Sequence, residues 1–84
     1  MALINSATET LCRTLALEFS PLRINCVSPG FVEPKAESVQ SYARQFPVKR
    51  LGSSDEIASG YLWLMANPYI TGTITVLDGG ARLI

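Results

Sequence analysis

The run Ser28-Pro29-Gly30-Phe31-Val32 is where residue type and position first suggest chemistry. A short β-type segment ends there in a proline-glycine turn. In open α/β sheets, ligands lie just beyond the carboxyl ends of the strands, so this loop is the best-placed candidate site. The plain alternative is a strand-ending turn without a ligand. Other chemistry-bearing groups are sparse. The chain contains no histidine, which removes imidazole-based triads, zinc sites and proton relays. Cys12 and Cys26 form no CxxC and read as small buried apolar residues of a reducing compartment rather than as nucleophiles. Tyr42 is followed four residues on by Phe46, not by a lysine that could lower its pKa, and reads as loop packing. Asp78, before Gly79-Gly80, is a single carboxylate without partners and makes no metal site. No residue of the chain is assigned a catalytic or metal-binding role.

The elements around the loop follow from periodicity. Leu3, Ile4, Ala7, Leu11, Leu15 and Phe19 recur at three- and four-residue spacing and predict an amphipathic helix, closed by Ser20-Pro21. Ala16 and Leu17 widen its apolar face, which suggests packing against two surfaces. Arg23 to Val27 reads as a strand. Glu33 to Pro47 reads as a loop with a short helix around Ala36 to Arg44. Ser53 and Glu56 form a capping-box pattern ahead of a helix with Ile57, Tyr61, Leu64 and Met65 on its apolar face, stopped by Asn67-Pro68. Tyr61 and Trp63 suit core or subunit contacts. Thr73 to Leu77 reads as a second strand ended by Asp78-Gly79-Gly80. Helix, strand, loop, helix, strand gives a right-handed crossover between parallel strands.

Composition bounds what this unit can be. With 48% hydrophobic and 17% charged residues the chain should fold, but 84 residues lie near the lower limit for one self-sufficient core. Seven basic and seven acidic residues balance, which argues against nucleic acid or an anionic membrane as a partner. No apolar stretch approaches the roughly 20 residues of a membrane span, and the N-terminus lacks signal-peptide order, so the default location is cytoplasmic.

Several phrases in fixed order resemble the C-terminal third of a short-chain dehydrogenase/reductase: Leu15-Ala16-Leu17-Glu18, Pro21 to Gly30, Arg50-Leu51-Gly52 with Asp55 to Ala58, Tyr69-Ile70-Thr71-Gly72 and Val76 to Gly80. The resemblance implies an α/β fold, the C-terminal part of a Rossmann-type doubly wound parallel sheet, with residues 1–84 as one partial domain. It implies that Pro29, Gly30, Phe31 and Val32 bind the nicotinamide end of NAD or NADP in a complete member, with main-chain groups of Phe31 and Val32 holding the carboxamide. Position 34, where a threonine hydroxyl usually follows, is proline. The family's Tyr-x-x-x-Lys pair falls on Met1 and Asn5, neither of which can move the proton or supply the charge. No glycine-rich phosphate turn occurs in these residues, and the catalytic serine would lie upstream.

Two readings result. In the first, the chain is the C-terminal segment of an NAD(P)-dependent oxidoreductase acting on a small carbonyl or alcohol substrate, with no cofactor bound and no turnover by the 84 residues alone. In the second, it is a non-catalytic relative that acts as an oligomerisation or partner-binding module. Both expect a homo-oligomer, a dimer or a tetramer.

Overall fold

The structure, a computed structural model, describes residues 2–33 and 36–84. Helix α1 (Ala2–Glu18) leads to strand β1 (Cys26–Pro29), helix α2 (Glu37–Ala43), helix α3 (Ser54–Ala66), strand β2 (Ile74–Leu77) and a final 3-10 turn (Ala81–Leu83). The strands pair in parallel, with Cys26 opposite Ile74 and Pro29 opposite Leu77, as the crossover pattern predicts. Met1 and Pro34, two positions at which the sequence departs from the family pattern, lie outside the described residues, and Asn5 is described by its main chain alone.

β1 starts and ends later than the Arg23 to Val27 run expected from sequence. Residues 23–25 are held by side chains instead of a ladder. Asn25 accepts from the Thr73 amide and hydroxyl, at 3.1 and 2.9 Å, and donates to Ile70 O, while the Ile24 amide donates to Thr71 Oγ1. Gly72, at φ +72°, turns the opposing chain out of strand geometry and donates to Ile24 O. Beyond Val27 the ladder runs on through Ser28 and Pro29. Cys26 N–H bonds Thr73 O and Gly30 N–H bonds Leu77 O, so even-numbered residues of β1 point their amides at β2. Pro29, which has no amide hydrogen, is odd and faces away, which is why the strand tolerates it.

α3 begins as its capping box requires. Ser53 Oγ accepts from Glu56 N at 3.1 Å and Glu56 Oε1 accepts from Ser53 N at 2.9 Å. At its other end the Arg23 guanidinium donates to the carbonyl oxygens of Leu64, Met65 and Ile70 at 3.0, 3.2 and 3.1 Å. These are orphan carbonyls of the helix C-terminus and its following turn, and a cation there also meets the negative end of the dipole. Arg23 is thus a helix cap, not the first residue of a strand.

The core is small. Ala43, Phe46 and Leu51 are buried together, with Val39 and Ala81 packed on them, and Cys12 and Leu64 are buried under α1 and α3. α1 turns Cys12 inward, its Sγ 3.7 and 3.8 Å from Ile24 O and Thr73 O, while Leu11 and Phe19 of the expected apolar face are exposed. On α3 the expected face narrows to Leu64, with Ile57 half-buried. Met65 is 71% exposed, and Tyr61 and Trp63 also face outward, so within the chain the last two make no core.

Candidate functional site

The loop after β1 is stitched on both sides. Gly30 donates to Leu77 O at 2.9 Å, closing the β1–β2 ladder. One residue on, Phe31 O accepts from Gly52 N at 3.0 Å and Glu33 N donates to Gly52 O at 2.9 Å, which makes Val32 and Gly52 an isolated parallel bridge. The segment before α3 therefore acts as a third, one-residue strand that fixes the loop's course. Gly30 is required by space. A Cβ there would fall 2.8 Å from both Cα and Cβ of Asp78, so any side chain would push the two strand ends apart.

Phe31 leaves the loop toward α2. Its ring stacks on Phe46, centroids 5.8 Å apart, and meets Tyr42 edge-on at 6.2 Å, while Tyr42 meets Phe46 edge-on at 5.4 Å. Phe46 is 1% exposed. Tyr42 is thus packing for the loop, as its lack of a following lysine suggests, and the three rings make the loop and α2 one body.

Behind the loop stands a charged cluster that the sequence did not reveal. Arg82 Nη2 donates to Ser28 Oγ and lies 3.5 Å from Glu9, and Arg82 Nε lies 3.8 Å from Asp78. Asp78 in turn accepts from Gly80 N at 2.9 Å and Arg82 N at 3.1 Å. The last turn of the chain is thereby clamped to β1 and to α1. Gly80, at φ +87°, lets it pass, since a Cβ would lie 2.5 to 2.9 Å from the Pro47 ring carbons. Asp78 is therefore a turn-former, held by the Gly80 and Arg82 amides and faced by the Arg82 guanidinium.

A second ion pair flanks the site. Arg50 meets Glu56 in a two-pronged contact, both bonds 2.8 Å. The Arg50 side chain, with the Ser53 amide beside it, holds the Glu56 carboxyl down at about 2, well below its ordinary 4.5, and Glu56 raises Arg50 in return. Cys12 is pushed up by burial first and by nearby Cys26 second, against Arg13, so it is a poor thiolate. Cys26 is only half-buried, short of the burial its sequence reading expected.

The four predicted cofactor residues are thus contiguous in space, at the carboxyl ends of both strands. Their family context can be tested by comparison. The family model described as enoyl-(acyl carrier protein) reductase matches residues 1–82. The short-chain dehydrogenase/reductase ucsE of Acremonium sp is 35% identical over 93 residues, covering 99% of this chain and 35% of that protein. The human 3-oxoacyl-acyl-carrier-protein reductase is 38% identical over 77 residues, covering 86% of this chain and 32% of that one. The chain belongs to the short-chain dehydrogenase/reductase family. Among solved structures, a small-chain dehydrogenase in complex with NADPH superposes with a TM-score of 0.90 at 34% identity, over 99% of this chain and 42% of that one. A further small-chain dehydrogenase gives 0.90 at 39% identity, over 99% and 39%. These neighbours carry the Rossmann-type α/β fold of the family, and this chain superposes on a part of it. The chain spans about a third of the length of the curated relatives it matches.

Two features of the family member were out of reach of sequence reasoning. Arg82 and Gly52 reach the loop only through tertiary pairing, and nothing in their local spacing marks them. No helix among the described residues is long and apolar enough to cross a membrane.

Proposed function

We propose that this chain supplies the nicotinamide-side wall of an NAD(P)-dependent oxidoreductase site, where hydride passes between the cofactor and a carbonyl or alcohol carbon of a small substrate. One observation carries the reading. Gly30 is packed against the Asp78 main chain, and the Val32–Gly52 bridge fixes the next two residues, so the Phe31 and Val32 main chain is held rigidly past the strand ends. Preformed main-chain donors and acceptors are what a carboxamide needs for orientation. These 84 residues supply no helix N-terminus with a glycine-rich turn to hold a pyrophosphate, so affinity for the whole cofactor stays weak. The test is a titration of the full chain with reduced nicotinamide mononucleotide and with NADPH, read by amide NMR. Weak, saturable shifts confined to residues 30–33 support the proposal. Shifts elsewhere, or none at saturating ligand, overturn it, and micromolar affinity for NADPH refutes the expected weakness.

A second reading, an assembling module, is favoured by the surface. The chain exposes 6131 Å², against about 4,900 Å² expected for a compact monomer of this mass. Its radius of gyration is 14.5 Å, where about 12 Å is usual for 84 residues. The excess exceeds the roughly 800 Å² per partner of a standard interface. A homodimer or a dimer of dimers is the assembly proposed.

A further inference from the structure

Among the described residues no strand pairs with the outer edge of β2, and Val76 of that strand borders a cavity. The cavity measures about 450 Å³ and is walled by Phe31, Val48, Ile57, Val76 and Leu77. That is within the range of small-molecule sites, at the small end. Its polar equipment can be derived from the ladder. Thr73 O and Leu77 O accept from β1, so odd-numbered residues of β2 turn their main-chain groups toward β1. The even-numbered ones, Ile74 and Val76, turn theirs to the open edge. Val76 therefore offers the cavity one N–H donor and one C=O acceptor, the pair that a neighbouring strand would use.

The charges around the cavity are already matched. Glu56 is neutralised by Arg50 in a two-pronged contact, and the Asp78 carboxylate accepts from Gly80 N and Arg82 N and faces the Arg82 guanidinium. An incoming carboxylate would have to displace Glu56 from Arg50. An incoming ammonium would have to compete with an arginine for Glu56 or Asp78. The walls are otherwise aliphatic and aromatic, and a charge brought among them loses its water without gaining a partner.

We propose that this cavity binds an uncharged molecule with a short apolar body and one primary amide group. The amide carbonyl accepts from Val76 N–H and the amide N–H donates to Val76 C=O, while the apolar body lies against Val48 and Ile57. This site is separate from the carboxamide loop. It uses the outer edge of β2 and the side chain of Phe31, and it stands whether or not the loop binds nicotinamide.

The experiment is a titration of the full chain with hexanamide, with hexanoate, hexylammonium and N,N-dimethylhexanamide as controls, followed through amide and methyl shifts. Expected are saturable shifts at the Val76 and Asp78 amides and the Val48 and Ile57 methyls, with hexanamide at least about tenfold tighter than either charged analogue. The dimethyl amide, which cannot donate, should bind several-fold more weakly. Val48→Trp, at a half-exposed position on the rim, should fill the cavity and abolish saturation, while Leu17→Trp on α1 should leave it unchanged. Equal binding of hexanoate, equal binding of the dimethyl amide, or shifts that scatter without saturating overturn the proposal. The ligand series decides the matter even if the Val48 variant fails to fold.

Discussion

Replacing Arg23 by methionine keeps most of the side chain's length and apolar stem and removes every donor. Three carbonyl oxygens lose a partner. Those of Leu64 and Ile70 receive bonds that are partly buried, and that of Met65 a bond exposed to solvent. Water can replace the exposed bond at little cost, whereas each partly buried carbonyl left without a donor costs about 1 kcal/mol. Losing the cation at the end of α3 adds about 0.3 to 1 kcal/mol. The sum, about 2 to 3 kcal/mol, is a large share of the total stability expected for a chain of this length, about 4 to 13 kcal/mol. With a urea m-value near 1 kcal/mol/M, the unfolding midpoint should fall by about 2 to 3 M at fixed protein concentration. Circular dichroism in urea measures it. Arg23→Lys, which can reach one or two of the three oxygens, should fall between. A midpoint within about 0.5 M of the parent for Arg23→Met would show that the guanidinium is not holding the helix end, and the reasoning would fail.

Acid should weaken the fold through Glu56. Its carboxyl is held at about 2 in the folded chain against an ordinary 4.5, so its stabilising contribution is complete above 4.5 and is lost as the pH falls toward 2. Glu56→Gln should flatten the stability-pH curve in that window, measured by urea midpoints. Gly30→Ala should cost about 1 to 3 kcal/mol and blur the amide signals of residues 30–33, because the new methyl meets Asp78 at 2.8 Å. A folded 9.1 kDa monomer in light scattering at micromolar concentration would refute self-association. Met1→Tyr combined with Asn5→Lys should give no carbonyl reduction in these 84 residues, since a proton relay has no use without a positioned cofactor; detectable turnover would contradict this.

The elements that could be read in the sequence are those whose cause is local. The capping box at Ser53 and Glu56 closes within four residues, and the loop after β1 announces itself by a strand pattern meeting a proline-glycine pair. What stayed hidden depends on partners far along the chain. Arg23 looks like a strand residue until the end of α3, more than forty positions away, is placed beside it. Arg82 has no local pattern at all, and its role appears only when Ser28, Glu9 and Asp78 converge on it. The apolar faces of α1 and α3 were overestimated for a related reason. Periodicity tells which side chains share a face but not whether this chain contains enough protein to cover it, and Leu11, Phe19 and Met65 remain exposed.

Pro29 shows how such a miss can carry information about the site. Read along the chain, a proline ends a strand. Read across the ladder, it merely lacks a donor on the side away from β2, so β1 continues to the loop with its pairing to Leu77 intact. That same side is where a further strand would add to β1. Such a strand could bond the Val27 amide but would find no donor at position 29, so regular pairing there must stop one residue short of Gly30. The proline therefore leaves the Gly30 to Val32 main chain outside any extended sheet. Gly52 takes the Phe31 carbonyl and the Glu33 amide, so the N–H and C=O of Val32 itself point away from that bridge.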